Sequence, residues 1–294
     1  MLYLLQQPIT YFVLMLIFFI IFHHIQNNWL IIKTYEIQSK KIPYLFNGYK
    51  IVQISDLHSK CFGKENEKLI NKINNLKPDI IVITGDVMNN KKDDGHRFLE
   101  LAEKLVTKYK LFYIIGNHEQ NAALNDPVFL PEYIKKIKDL GVKVLDNEKI
   151  ELHKNTLSIN LYGMWLDLQY YRNLTKKDDR TIVFKSKNVE QSLGRCNRLK
   201  YNILLVHNPM YFKAYTEWGA DLVLAGHVHG GVVRLPFIGG VLSPERVFFP
   251  KYSDGEYNIG ESSMIVNRGL GDSSVGIRVF NRPEISLIIL RSVK

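Results

Sequence analysis

The sequence predicts an α/β fold in which parallel strands deliver polar residues to one edge of a sheet, and three observations predict it. Short apolar runs recur about 30 residues apart, the spacing of consecutive βαβ crossovers. Segments with a helical apolar face separate the first of these runs, and the runs halt abruptly at an acid, a glycine or a histidine. Ile51 to Ile54 is the plainest case: it reads as a buried strand, and Ser55, Asp56, Leu57 and His58 follow where that strand runs out into a loop. Asp56 and His58 then emerge at the carboxyl edge. In open α/β sheets that edge binds ligands, because the strand ends leave a crevice that loops line with polar groups.

With 294 residues, 46% hydrophobic and 23% charged, the chain can bury a substantial core and is neither disordered nor collagen-like. Its formal charge of +10 favours anionic surroundings, whether nucleic acid, a lipid surface or phosphorylated substrates. The lysines are scattered over helix-like segments and form no dense block, which argues against a dedicated nucleic-acid patch. Cys61 and Cys196 are too few for a disulfide framework and fit no zinc spacing.

Taken in order, residues 9 to 25 contain no carboxylate, Lys or Arg, and the uncharged stretch continues through Trp29 to Ile32. Spanning a bilayer takes about 20 mostly apolar residues. Aromatic and β-branched residues cover every face, and Trp29 with Tyr35 suits an interface, so residues 1 to 34 are expected to form a single transmembrane anchor. No basic region precedes it and no A-x-A site follows, unlike a cleaved signal peptide. Residues 35 to 47 read as a connector and 48 to 294 as the folded domain.

Residues 49 to 55 form the first expected strand, and Leu69, Ile70, Ile73 and Leu76 mark a helix over 64 to 76 that Pro78 stops. A strand over 79 to 84 ends in Gly85-Asp86. Phe98, Leu101, Ala102 and Leu105 mark the next helix, and a strand over 111 to 115 ends in Gly116-Asn117-His118-Glu119. A helix over 131 to 140 and short strands over 142 to 164 follow, then a long exposed loop from Trp165 to Asp179. Buried strands at 201 to 206 and 221 to 224 end in His207-Asn208-Pro209 and Gly226-His227-Val228-His229. A Gly/Pro/aromatic loop covers 234 to 257, and strands near 263 to 267, 275 to 280 and 284 to 290 close the chain.

The strand ends together carry Asp56, His58, Asp86, Asn117, His118, His207, His227 and His229, far more acid and imidazole than a sheet edge needs for stability. That donor mixture suits first-row divalent ions such as Mn, Fe or Zn, and the lack of a cysteine pair argues against structural zinc. Two metals are the natural count: a carboxylate such as Asp86 can bridge two ions about 4 Å apart, and such a pair activates water for attack on phosphorus. Gly85, Gly116 and Gly226 each precede a candidate ligand, where a backbone without Cβ can turn sharply and admit a phosphate.

D-L-H at 56 to 58, G-D at 85 to 86, G-N-H-E at 116 to 119, H-N-P at 207 to 209 and G-H-V-H at 226 to 229 resemble, in order and spacing, the signature of calcineurin-like metallophosphoesterases. The resemblance runs from about residue 48 to the C-terminus. It implies a four-layer sandwich of two mixed β-sheets flanked by helices. It also implies one metal on Asp56, His58, Asp86 and His229, and a second on Asp86, Asn117, His207 and His227. His118 is then not a ligand but contacts the phosphate, as does Asn117, and protonates or stabilises the leaving oxygen. Purple acid phosphatases within that family carry a tyrosine three residues after the bridging acid; Asn89 stands there in this chain. Many relatives carry Gln where this chain has Val232. Arg268, in N-R-G-L-G, is a further candidate phosphate contact.

The anchor with a compact domain looks like the membrane-associated bacterial branch, some members of which, the UDP-diacylglucosamine diphosphatase-like enzymes, cleave UDP-sugar lipids. The expected activity is therefore hydrolysis of a phosphodiester or diphosphate bond in a lipid-linked substrate by a membrane-anchored dinuclear centre. The aromatic stretches 165 to 171 and 237 to 252 are expected to receive acyl chains. The alternatives are a tethered phosphatase or nuclease acting on soluble phosphoesters and, outside enzymes, a metal-binding module without turnover; binding alone requires no acid, so His118 weighs against the last. Lys33, Lys40, Lys41 and Lys50 follow the anchor and no Lys or Arg precedes it, which by the positive-inside rule leaves the large domain in the cytoplasm. An impermeant thiol reagent should therefore leave Cys61 and Cys196 unlabelled in intact cells, and labelling of either would reverse the orientation.

Overall fold

The computed structural model describes residues 2–89, 93–171, 183–231, 233–235, 239–242, 248–271, 276 and 278–293. Its first half contains α1 (Leu2–Asn28), β1 (Ile31–Ser39), β2 (Lys50–Ile54), α2 (Glu67–Leu76), β3 (Ile80–Thr84), α3 (His96–Val106), β4 (Lys110–Ile114), α4 (Asn117–Asn125) and α5 (Phe129–Asp139). Then come β5 (Lys143–Val144), β6 (Glu148–Lys154), β7 (Leu157–Met164), α6 (Ser186–Leu193), β8 (Asn202–Val206), α7 (Phe212–Trp218) and β9 (Leu222–Ala225). The chain closes with β10 (Val233–Leu235), β11 (Gly239–Leu242), β12 (Gly255–Ile259), β13 (Ser262–Val266) and β14 (Glu284–Ser292).

Two six-stranded sheets, ordered β1-β14-β2-β3-β4-β5 and β12-β13-β9-β8-β7-β6, face each other. Both are mixed: β14 runs antiparallel to β2, and β6 and β12 run antiparallel to β7 and β13, while the inner strands are parallel. Strands β3, β8 and β9 are buried throughout, and apolar but for Thr84 and Asn202 at their ends, because both of their faces are covered. Alternation then divides the side chains between layers. Val52, Ile54, Ile81 and Ile83 face the helices α2, α3 and α5, while Ile51, Ile80 and Val82 meet Ile203, Leu205, Leu222 and Leu224 between the sheets. On the far side Leu204, Val206 and Val223 pack against Phe212, Tyr215 and Trp218 of α7. The result is helix, sheet, sheet, helix, as the resemblance implied.

One polar residue crosses the middle layer. Gln53 is fully buried and its amide donates to Thr84 Oγ1 at 3.0 Å and to the Ala225 carbonyl at 2.9 Å. That joins the carboxyl ends of β3 and β9, one from each sheet. The strand ends of both sheets are thus held over a common crevice.

Several elements differ from the sequence expectation. The stretch read as anchor and connector contains β1, which pairs in parallel with β14 from Ile31 to Ser39, so the first sheet begins upstream of residue 48. Tyr35 and Ile37 of that strand are core residues, and Leu30 just before it is 3% exposed. The helix expected from residue 64 starts at Glu67, after a 3-10 turn in which Glu65 and Asn66 have φ of 50° and 63°. The loop at 234 to 257 holds a two-stranded ribbon, β10 with β11. Residues 275 and 277 of the strand expected at 275 to 280 lie outside the described residues, as do Val232 and 172–182; the described remainder of 275 to 280 forms no named strand. Leu168 to Tyr171, the described end of the aromatic loop, makes one 3-10 turn. Within α1, Pro8–Asn28 is 21 residues long and apolar enough to cross a membrane, and its apolar window is not buried against the domain, unlike a core helix.

Candidate metal centre

The crevice is built by five strand ends. β2, β3 and β4 of the first sheet lead into Asp56-Leu57-His58, Asp86 and Asn117-His118; β8 and β9 of the second lead into His207 and His227-Val228-His229. The turns after β2, β3 and β9 are sharp. Asp56, His58, Asp86, His227 and His229 all have positive φ, between 45° and 73°. Left-handed backbone at non-glycine residues is costly and persists where the surroundings over-determine it, as at functional sites. Two glycines make the close packing possible. A Cβ on Gly116 would fall 2.2 Å from Asp86 Oδ1, and one on Gly226 would fall 2.0 Å from Ser55 Oγ and 2.4 Å from Asp56 Oδ2. The neighbours that require glycine at these two positions are the Ser55 hydroxyl and the Asp56 and Asp86 carboxylates.

The donor atoms of Asp56, His58 and His229 lie within 4.8 Å of one another, and so do those of Asp86, His207 and His227. A third group, His58, Asp86 and His118, spans the space between them. His207 Nε2 is 3.0 Å from Asp86 Oδ2 and 3.8 Å from Asp56 Oδ1; its Nδ1 is 2.6 Å from the Thr84 carbonyl, which fixes the ring. His229 Nε2 is 3.4 Å from Asp56 Oδ1 and 3.1 Å from His58 Nε2. Asn117 Oδ1 and the Nδ1 atoms of His118 and His229 are buried without a hydrogen-bond partner. Buried polar atoms left unpaired are unfavourable for protein alone and suit a shared cation.

Electrostatics follow burial and neighbours. Burial, with the imidazoles of His118 and His207, pushes His58 down to about 3 against the pull of Asp86. His229 is likewise held well below the usual histidine range by burial and by His58. Burial also opposes charge on His207, but the Asp86 and Asp56 carboxylates outweigh it and lift His207 to about 10. Burial raises Asp56, with Asp86 adding to the rise. Asp86 is held well below the usual carboxylate range, because His207 and His118 outweigh its burial.

The structure therefore gathers Asp56, His58, Asp86, Asn117, His118, His207, His227 and His229, and it leaves Arg268 out of the crevice's free groups. Arg268 is held by Asp254 at 2.9 Å and Glu284 at 3.3 Å, an internal ion pair that takes the charge offered to phosphate in the sequence reading. Asn89 donates to the His58 carbonyl at 3.1 Å and so supports the first turn.

Other residues matter that the sequence reading passed over. Glu119 is fully buried and accepts from the backbone N–H groups of Asp86, Val87 and Gly116 at 3.1, 2.7 and 2.7 Å, clamping the ends of β3 and β4 together. The signal was present: Glu three residues after Gly116 has the spacing of an acid that caps a helix N-terminus. Arg278 donates to the carbonyls of Arg268 and Gly269, and Leu270 N–H in turn bonds Ser55 O at 3.0 Å, bracing the turn at Asp56. Tyr171 sets its ring 5.0 Å from that of His227 and 5.9 Å from that of His207.

A phosphoesterase-type metal centre on a two-sheet sandwich is the class that this fold and site define. Residues 49–231 match the family model for calcineurin-like phosphoesterases, and the chain belongs to that family. It is a metal-dependent phosphoester hydrolase. YkuE, an uncharacterized metallophosphoesterase of Bacillus subtilis, is 31% identical over 273 residues, 88% of this chain and 84% of that protein. A transmembrane protein with metallophosphoesterase domain from Danio rerio is 25% identical over 87% of this chain and 56% of its own length. Among solved structures, a putative 5'-nucleotidase from Staphylococcus aureus aligns with a TM-score of 0.48 at 12% identity, over 84% of this chain and 55% of that one.

Glu119→Ala leaves three buried backbone donors unpaired and should cost about 3 kcal/mol of stability. Glu119→Gln keeps one acceptor oxygen and should cost less. Thermal unfolding of the two variants checks the order; equal and negligible losses would remove Glu119 from the support of the site.

Proposed function

We propose that this chain is a membrane-anchored phosphoesterase with two divalent ions, of Mn, Fe or Zn, hydrolysing a phosphodiester or diphosphate bond in a lipid-linked substrate. The observation that carries the proposal is the pair of three-donor groups, Asp56/His58/His229 and Asp86/His207/His227, facing one another across one crevice with His118 beside both. Asp56, His58, Asp86 and His229 would hold one ion, and Asp86, Asn117, His207 and His227 the other. When bound, the ions supply Lewis acidity at the phosphoryl oxygens and lower the pKa of water.

The remaining chemistry belongs to the chain. His118 N–H donates to Asp86 Oδ1 at 2.8 Å, which fixes its backbone, while its ring, 27% exposed, is the most open imidazole of the group. Its Nε2 lies 3.9 Å from Asp86 Oδ2, at the crevice mouth, from where it gives a proton to the departing oxygen. An apolar membrane helix at the N-terminus supports an amphiphilic substrate. So does a cavity of about 610 Å³ against α4, the helix that begins with Asn117 and His118; Leu124, Ile134, Leu145 and Trp165 line it. The lysines that follow α1 support a cytoplasmic side for the domain in this reading.

The test compares bis-p-nitrophenyl phosphate with p-nitrophenyl phosphate, using metal-stripped protein restored with Mn, Fe or Zn. Turnover should require metal, favour the diester, and fall at least a hundredfold in His118→Ala with metal content unchanged. Loss of metal in His118→Ala would make it a ligand instead. A chain starting at Ile25, which keeps Leu30 and β1, should retain soluble-ester turnover and lose most of its activity on a vesicle-borne ester; equal effects on both would remove the basis for a lipid substrate.

His207 also sets a pH dependence. Its folded value of about 10 lies above an unfolded value of about 6.5, so its protonation stabilises the metal-free fold fully below about pH 6.5, and that contribution is lost as pH rises through about 10. A divalent ion takes the neutral ring, so binding at pH 7 should release about one proton and tighten about tenfold per pH unit near neutrality. Calorimetric titration in buffers of different ionisation heat measures that release; none would show His207 neutral before metal arrives.

A further inference from the structure

The base of α1 is wired to the metal centre. Asn281 donates through its side-chain amide to the carbonyls of His229 and Gly231, both at 2.6 Å, and its backbone N–H donates to Gln26 Oε1 at 3.2 Å. Gln26, Asn27 and Leu30 are all buried, so the helix does not end in a free tether. The ring of Phe22 meets that of Phe280 at 5.5 Å, edge to face, and Arg282 lies 5.8 Å over Trp29. The apolar helix therefore leaves the domain one residue's reach from the turn that carries His227 and His229.

The same face continues outward. Arg234 N–H bonds the Val279 carbonyl at 3.1 Å, which sets the β10–β11 ribbon beside Phe280, and the far side of the ribbon pairs Leu242 with Phe248 and Val241 with Phe249. A Cβ on Gly240 would fall 2.7 Å from the Gly230 carbonyl, so the ribbon also lies against the metal-centre turn. Its aromatic side chains point to solvent: Phe248 is 69%, Phe249 64%, Trp29 58% and Phe280 50% exposed. Phe249 and Phe280 are held outward by left-handed backbone, at φ of 50° and 51°, a conformation that bulky residues rarely adopt. Lys251 is exposed two residues beyond Phe249. Aromatic rings bordered by cations are the composition of a membrane–water interface.

We propose that the face formed by Trp29, Phe280, Phe248 and Phe249 is a membrane-seating surface, which rests in the headgroup layer of an anionic bilayer and holds the His229 turn at that depth. It rests on the reading of α1 as a membrane helix and adds what the helix alone does not give, an orientation. A flexible tether would let the crevice face any direction. Seated on these rings, the crevice meets phosphoesters at the level of lipid headgroups.

The test uses the full chain carrying Cys61→Ser and Cys196→Ser, with one cysteine introduced by Phe248→Cys, Phe249→Cys, Trp29→Cys or Leu199→Cys and labelled with bimane. Each is reconstituted into vesicles of zwitterionic and anionic phospholipid, with and without nitroxide-labelled lipid. Labels at 248, 249 and 29 should be quenched at least twofold. Leu199, 94% exposed and just before β8, lies at the opposite edge of the sheet and should not be quenched. Quenching at 29 with none at 248 and 249 would overturn the seating surface and leave the anchor intact. Absence of quenching at 29 as well would overturn the anchor reading itself. The 248 and 249 reporters are independent, so failure of one to fold leaves the other decisive.

Discussion

Everything about the crevice depends on holding two carboxyl groups, Asp56 and Asp86, side by side where neither is more than 1% exposed. An ion removed from water costs several kcal/mol unless partners restore what solvation supplied. His207 is one such partner, within 3.0 Å of Asp86 and 3.8 Å of Asp56, and it arrives from the opposite sheet. Backbone supplies the rest: His118 N–H serves Asp86, and His227 N–H serves both oxygens of Asp56 at 3.1 Å. Asp86 has more imidazole around it than Asp56, and accordingly the two are displaced in opposite directions. Asp86 belongs to two of the donor groups that could hold a metal ion.

The two-sheet architecture is what makes this convergence affordable in free energy. Within one parallel sheet, neighbouring strand ends lie side by side and their turns splay outward. Here strand ends from two facing sheets close on one another, with Gln53 linking them through the layer beneath. The cost appears as backbone strain, since five candidate ligand residues adopt left-handed conformations at about 1 kcal/mol or more each. The supports are specific: Glu119 ties three N–H groups at the ends of β3 and β4, and Asn281 and Arg278 hold the turns at His229 and Asp56. The large apolar core on both sides of each sheet is the reservoir against which this strain is set.

Much of this was legible because strand-end chemistry is local. A buried strand followed by Asp-Leu-His or Gly-Asp announces both the element and the position of its donors, so seven prospective ligands and His118 could be read one strand at a time. What was not legible depends on distant partners. β1 looked like a connector since it is an edge strand after an apolar helix, and only its pairing with β14, some 250 residues on, makes Tyr35 and Ile37 core. α4 was missed because its buried residues are Glu119, Gln120 and Ala122, which give no apolar periodicity. Arg268 looked available because Asp254 and Glu284, which hold it, lie outside its own motif and only the fold brings both carboxylates onto the guanidinium.

His118 and His207 show how one set of imidazoles divides its labour. His207 has no exposed surface, and both of its ring nitrogens face protein oxygens, so it can neither turn nor reach a substrate. His118 has the reverse arrangement: its backbone is fixed by Asp86 at the start of α4, yet its ring projects from that anchored point toward solvent. A fixed main chain with a partly open ring gives a short, defined reach into the crevice. A histidine retained only to hold structure would be buried on the other side of the helix, where Gln120 is spent on the carbonyls of Gly116 and Leu166. The placement thus sets His207 inside the site and leaves His118 as the imidazole nearest its mouth.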